Sequence, residues 1–505
     1  LRGLATPRTV EGARSRGPAV PTSRVPPLFE EPRPVSSPLS DAEIGYASAQ
    51  TLRSLYASGE VAPSEAVAAV LRRIEALEPG LNAFSVTMAD EAMAAARASD
   101  ARIRAGEARA LEGVPVTIKD FYDVAGQPSE TGSWSVRKGP AAADNPVVAR
   151  LRAAGAVVIG KTTMSEFAWS GISRNPVTGV THNPWGRGLN AGASSAGAGV
   201  AAAAGYGPLH LGSDGAGSIR MPAHFCGVFG LKPTYGRVPH VPVSNTDYAA
   251  YIGPMTRTVA DAAAMLKVMA GPHPLDHTSA EAPPADYPAR LDRPLAGRRI
   301  AFSPDLGHAR VDPEVAQVVA RAVRTLEELG AEVEEISPPW GPLGPELGRF
   351  YWTAFLGRRA ALLEEHEERM GADLVACIRE GAHYSATDYL DWRERKFAYV
   401  AQIAQTLQEH DFLVTPAVSV AAFPVERVQP EHWPAHPWDW LSWAQFSYPF
   451  NMSGDPACSV PCGFTPAGLP VGLQIVARRF DDLGVLQAAH AFEQASGVSD
   501  RRPPL

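Results

Sequence analysis

Three segments of the chain carry residue types suited to nucleophilic chemistry on an acyl group, if the fold brings them together. Lys119 ends the apolar run GVPVTIKD (113–120). A lysine at that place is either the solvated cap of a strand or a buried amine, and only the buried, neutral form acts as a base. GASSAGAG (192–199) sets Ser194 and Ser195 in a small-residue loop just before an Ala-rich stretch. Such a loop opening a helix presents free backbone N–H groups beside two hydroxyls, and it is also ordinary helix-capping composition. GSDGAGSIRMPA (212–223) follows the apolar LHLG. Gly215, Ala216 and Gly217 lack bulk, so the backbone turns tightly, and successive N–H groups in such a turn converge on one concavity suited to an oxyanion. Ser218 stands at the end of the turn. Asp214 and Arg220 flank it with opposite charges that can pair and hold the loop. The plain alternative is a glycine turn with a helix-capping serine.

Other chemical patterns fare worse. GAVVIGKT (155–162) fits G-x-x-x-x-G-K-[ST], the phosphate-loop pattern, but its centre is Ala-Val-Val-Ile and a helical stretch precedes it, so a buried strand with Lys161 at its end is expected. His210 as the base of a Ser-His-Asp triad with Ser218 and Asp214 is disfavoured, because His210 and Asp214 share one short segment and no G-x-S-x-G elbow surrounds Ser218. Four cysteines in 505 residues are not a disulfide framework. No second cluster joins Cys458 and Cys462 into a metal site, so two small buried side chains on a strand and the turn after it are expected.

The elements that position these groups alternate along the chain. Helices are expected from Ser40-Asp41 to Gly59, from Pro63 to Pro79-Gly80, and over 89–107, 144–154, 253–271, 313–329 and most of 345–410. Strands are expected over 113–120, 156–161, 209–214, 298–306 and 331–336, with a hairpin over 459–480. This alternation predicts an α/β sheet layered by helices. Residues 1–39 are rich in Pro and Arg and read as a leader or arm without its own core. Residues 40–505 read as one domain with a helical, Trp-rich excursion at about 340–450. The net charge of −8 argues against binding by general phosphate attraction, so no nucleic-acid partner is expected. No run reaches the ~18 apolar residues of a membrane span, and a soluble, cytoplasmic protein is expected. A homodimer is left open.

Taken together, these segments resemble the amidase signature family, over roughly 41–271 and 445–495. The run from Asn183-Pro184-Trp185 through GASSAGAGVAAAAG to GSDGAGSIRMPAHFCGVFGLKPTYGRVP carries the resemblance. GVPVTIKDFYDVAG, GPMTRTVADAA and GLPVGLQIVARRF add to it. The family places a lysine about a hundred residues before its nucleophile and a relay serine between them, as Lys119, Ser194 and Ser218 are placed. The resemblance implies a large mixed β-sheet covered by helices on both faces. It implies Ser218 as nucleophile, Ser194 as proton relay and Lys119 as base, with backbone N–H groups of Gly215, Ala216, Gly217 and Ser218 as oxyanion hole. It further implies a cis peptide between Ala193 and Ser194, Ser195 as a supporting partner of Lys119, a small-molecule amide substrate, and no metal or organic cofactor. The chain departs from the family's usual Gly at Ala193 and Ala196, and reads Gly215-Ala216 in place of Thr-Gly. An alternative within the family is the amidase subunit of a tRNA-dependent amidotransferase assembly.

The aromatic cluster EHWPAHPWDWLSW, with Phe446, Tyr448 and Phe450 behind it, is either a packed layer or the mouth of a pocket. In the second reading Trp443 lines one side, Tyr122, Trp134, Met164 and Trp169 line the other, and apolar or aryl amides or carbamates are the substrates.

Overall fold

The computed structural model describes residues 39–135, 139–247 and 249–505; the expected arm, Leu39 apart, lies outside the described residues. Eleven strands form one sheet: β1 (Phe84–Thr87), β2 (Pro115–Lys119), β3 (Val157–Thr162), β4 (Leu209–Asp214), β5 (Phe229–Lys232), β6 (Tyr251–Thr256), β7 (Arg299–Phe302), β8 (Glu332–Glu335), β9 (Phe412–Pro416), β10 (Ala457–Phe464) and β11 (Pro470–Ala477). Their spatial order is β1-β3-β2-β4-β6-β5-β10-β11-β9-β7-β8. The sheet is mixed: β3-β2-β4 and β9-β7-β8 are parallel, and the other neighbours are antiparallel.

Side-chain alternation shows that helices cover both faces. Val158 of β3 packs into one core, with the helices Val259–Met269, Pro313–Glu328 and Asp482–Ser496. Its neighbours Val157 and Ile159 pack into another, with the all-small helix Ala196–Ala204. β2 is buried throughout and parallel to both neighbours, which is why it reads as an unbroken apolar run. Val116 and Ile118 fill the first core. The period of two therefore turns Thr117 and Lys119 to the opposite face, toward the Ala-rich helix.

Several sequence expectations change in detail. The first helix divides into Asp41–Tyr46 and Ala49–Ser58, because the Ser48 hydroxyl accepts the Thr51 N–H at 3.0 Å and starts a second helix. The second helix passes Pro79 and ends at Leu81, before Asn82 in the left-handed region (φ 54°). The expected helix 253–271 begins instead with β6; the helix proper starts at Val259, where the Thr258 hydroxyl accepts the Asp261 N–H at 3.1 Å. The Trp-rich excursion returns to the sheet at β9, whose five residues are all buried. The tryptophans of that excursion, Trp340 and Trp352 among them, pack as a further aromatic core. Cys458 and Cys462 are free and buried on β10. Among the described residues no helix is long and apolar enough to cross a membrane, and no cluster of metal ligands occurs.

Candidate active site

Lys119 ends β2 fully buried, with its Nζ 2.7 Å from Ser194 Oγ, 2.9 Å from Ser195 Oγ and 2.9 Å from Ser213 Oγ. Burial pushes its pKa down from 10.5 to about 7, while the Asp214 carboxylate works in the opposite direction. A neutral amine has two hydrogens and one lone pair, so among three hydroxyls it donates to two and accepts from one. Ser195 spends its own hydrogen on the Ser213 carbonyl at 3.1 Å and accepts the Ser213 N–H at 3.1 Å. The hydroxyl that donates a hydrogen bond to a neutral Lys119 amine is therefore Ser194 or Ser213. The Ala193–Ser194 peptide is cis, as the resemblance implied.

The Ser195 N–H donates to the Ser218 carbonyl at 3.2 Å, which ties the paired-serine loop to the glycine turn. That turn is held by Asp214, which is fully buried with Arg220, Arg220 Nη2 lying 2.9 Å from Asp214 Oδ1. The carboxylate also accepts the N–H groups of Gly217 (2.6 Å) and Ile219 (3.1 Å) and the Asn451 amide (2.9 Å). Burial alone would raise its pKa, but the Arg220 guanidinium, the Asn451 amide and Lys232 hold it well below the usual carboxylate range. Arg220 reaches on to the Ser447 carbonyl, Asn451 Oδ1 and Gln474 Oε1, so this one cation joins the turn to β11 and the helix Tyr448–Met452.

The turn differs from expectation at Gly217. Its N–H is spent on Asp214, so it is not available to an oxyanion. Among the described residues no acceptor engages the N–H groups of Gly215, Ala216 or Ser218. Gly217 instead supplies the backbone (φ 112°), and a Cβ there would collide with the Ser447 side chain.

Beside the turn lies a cavity of about 220 Å³, lined by Gly215 and Ala216 and walled by Tyr351, Trp352, Phe355 and Tyr448. None of Tyr122, Trp134, Met164, Trp169 and Trp443 lines it. Tyr122 is buried with its ring edge-on to Phe121 and His240. Trp134 borders a separate depression with Pro176, Glu368 and Arg369. Met164 and Trp169 are buried. Trp443 is fully buried against Phe225 and Phe423, and its indole N–H donates to the Val428 carbonyl at 3.0 Å. Apart from Trp134, these side chains fill interior space, whereas the cavity wall comes largely from the helix Gly344–Gly357. Of the aromatic cluster, Tyr448 does reach the cavity.

Sequence reasoning did not single out Ser213, Asn451, Gln474 or Trp352. A usable signal existed only for the last, in the apolar i, i+3, i+4 stripe of GRFYWTAFLG. His210 stands on β4 with Nδ1 2.9 Å from Thr117 Oγ1 and Nε2 3.1 Å from the Gly207 carbonyl, so neither nitrogen faces Ser218. Lys161, next to the last residue of β3, forms a buried ion pair with Asp120 at 3.0 Å and is not part of a phosphate loop.

Comparison with known proteins identifies the family. The Amidase family model matches residues 65–486. The chain is 37% identical over 484 residues to an acylamidase of Rhodococcus erythropolis, covering 92% of this chain and 98% of that relative. It is 36% identical over 490 residues to a glutamyl-tRNA(Gln) amidotransferase subunit of Moorella thermoacetica, covering 92% and 99%. Among solved structures, a bacterial aryl acylamidase superposes with TM-score 0.83 at 29% identity, covering 90% of this chain and 97% of that one. The chain therefore belongs to the amidase signature family of amide-hydrolysing enzymes.

Proposed function

We propose that the chain cleaves amides through an acyl-enzyme on Ser218. The Ser218 hydroxyl attacks the acyl carbon while Ser194 takes its proton and passes its own to neutral Lys119. The N–H groups of Gly215, Ala216 and Ser218 receive the oxyanion. The proton returns through Ser194 to the nitrogen as the C–N bond breaks, so the amine leaves neutral. Water then attacks the Ser218 ester by the same relay in reverse and releases the acid. The observation that carries this reading is the buried Lys119 amine, brought down to about 7 and 2.7 Å from Ser194.

The aromatic wall of the cavity supports aryl or apolar amides as substrates, with carbamates and esters of the same shape as further candidates. The similarity to an acylamidase and to an aryl acylamidase points the same way. The test is release of nitroaniline from acyl nitroanilides by the purified chain beside Ser218→Ala. Loss of turnover in the variant is expected, and equal rates would remove Ser218 from the reaction. The similarity to the amidotransferase supports a second reading, in which the chain works as one component of an assembly. Hydrolysis of simple anilides by the chain alone decides against it.

A further inference from the structure

The helical layer over the cavity pairs most of its cations. Arg349 holds Glu380 and Asp439, Arg379 holds Glu367, Arg395 holds Glu346, and Arg393 and Lys396 share Asp247. Arg358 and Arg359, in the middle of that sequence, have no carboxylate partner among the described residues. Their guanidiniums lie 4.9 and 5.0 Å from the centre of the Phe355 ring. Arg359 also lies 4.8 Å from the Phe167 ring, and its Nη1 is buried without an acceptor.

The placement of Arg358 is specific. Gly348, Tyr351, Trp352 and Phe355 form a stripe along the helix Gly344–Gly357, and all of them line the cavity. Arg358 lies one step further along the same stripe and lines the cavity too. Lys396 and Asp247 also border it, but they neutralise each other at 2.6 Å. The surplus charge on the wall is therefore positive and sits at Arg358. A cation at a helix C-terminus is favourable in itself. That position accounts for a favourable charge at Arg358, which is solvent-exposed on the cavity wall; Arg359, whose Nη1 is the buried donor without an acceptor, does not line the cavity and faces the Phe167 ring.

We propose that Arg358 recognises a carboxylate carried by the substrate, whose aryl or apolar body lies against Trp352 and Phe355. The proposal rests on the reading of this cavity as the substrate site, and it adds the class: amides of aryl or apolar compounds bearing an acid group away from the scissile bond. A guanidinium on an aromatic wall suits this, since it binds a carboxylate through two parallel hydrogen bonds while its own plane stacks on a ring.

The test is calorimetric binding of 4-phenylbutyrate and of the uncharged 4-phenylbutanol, to the wild type and to Arg358→Gln. At least tenfold tighter binding of the acid by the wild type is expected, lost in Arg358→Gln and reduced in about 0.5 M salt. Equal affinities in the wild type, or a preference that survives in Arg358→Gln, would overturn the proposal. The wild-type preference and its salt dependence decide the matter even where the variant folds poorly. Binding is read without turnover, so the result is independent of whether Ser218 is the nucleophile. For the reaction itself, para-acylaminobenzoates and ω-carboxyacyl nitroanilides are each compared with their methyl isosteres by kcat/KM. A carboxylate preference in either series that falls tenfold in Arg358→Gln supports the assignment. No preference in both series overturns it.

Discussion

The most exposed prediction concerns pH. If Lys119 is the base, acylation needs its neutral form, and the structure sets where that form appears. An ordinary lysine at 10.5 is neutral in roughly three molecules in ten thousand at pH 7, whereas an amine at about 7 is half neutral. Burial thus raises the competent population roughly a thousandfold, equivalent to ~4 kcal/mol. The cause is loss of water around the ammonium, with three serine hydroxyls as partners that serve either protonation state. The sign follows: kcat/KM for a neutral nitroanilide rises about tenfold per pH unit below about pH 7 and is level above it. The assay is initial-rate nitroaniline release from pH 5 to 10 at constant ionic strength, with Lys119→Arg as control. Arginine stays charged throughout, so this variant is expected to be inactive across the range. A wild-type rate that still climbs tenfold per unit beyond pH 9, or that is level from pH 5, would refute Lys119 as a burial-tuned base.

Other perturbations read other parts of the site. Ser194→Ala interrupts the proposed relay and is expected to lower kcat by about 10²–10⁴-fold with little change in KM, in the range of a lost general acid–base step. Asp214→Asn leaves Arg220 buried without its counter-charge and is expected to cost about 3–5 kcal/mol, seen as a lower urea midpoint. Gly217→Ala puts a side chain at φ 112° against Ser447, with an expected cost on the order of 1–3 kcal/mol or more in the same measurement. Trp352→Ala removes the wall beside Gly215; KM for aryl amides is expected to rise while that for acetamide stays put.

Much of the fold was legible because its causes are short-range. The periods of two and of 3.6, the capping residues and the glycine turns act over a few residues, and they mark β2, β3, β4 and the hairpin β10–β11 in the sequence. The strands that escaped, β1, β5 and β9, are four or five residues long, but so are β2, β7 and β8, which were read, so length alone does not separate them. β6 was hidden by its own Pro254 and by the helix that follows it, where Thr258 was the overlooked start signal.

The sequence by itself determined which residues are candidates for chemistry and which backbone segments are tight: a lysine closing a buried strand, two serines before an Ala-rich helix, and an Asp-Gly-Ala-Gly-Ser turn. These are local facts, set by residue type and by sterics within each segment. Only the tertiary structure decided who meets whom. Ser213 joins Lys119 because β2 and β4 are neighbours in the sheet. Asn451 and Gln474, more than two hundred residues from the turn, hold Arg220 because the helix Tyr448–Met452 and β11 pack beneath it. The Gly217 amide went to Asp214 and not to the proposed oxyanion site. The cavity took its wall from the helix Gly344–Gly357, while the tryptophans clustered in the sequence turned inward. Buried charges and aromatic rings go where desolvation can be compensated, and that depends on every element around them.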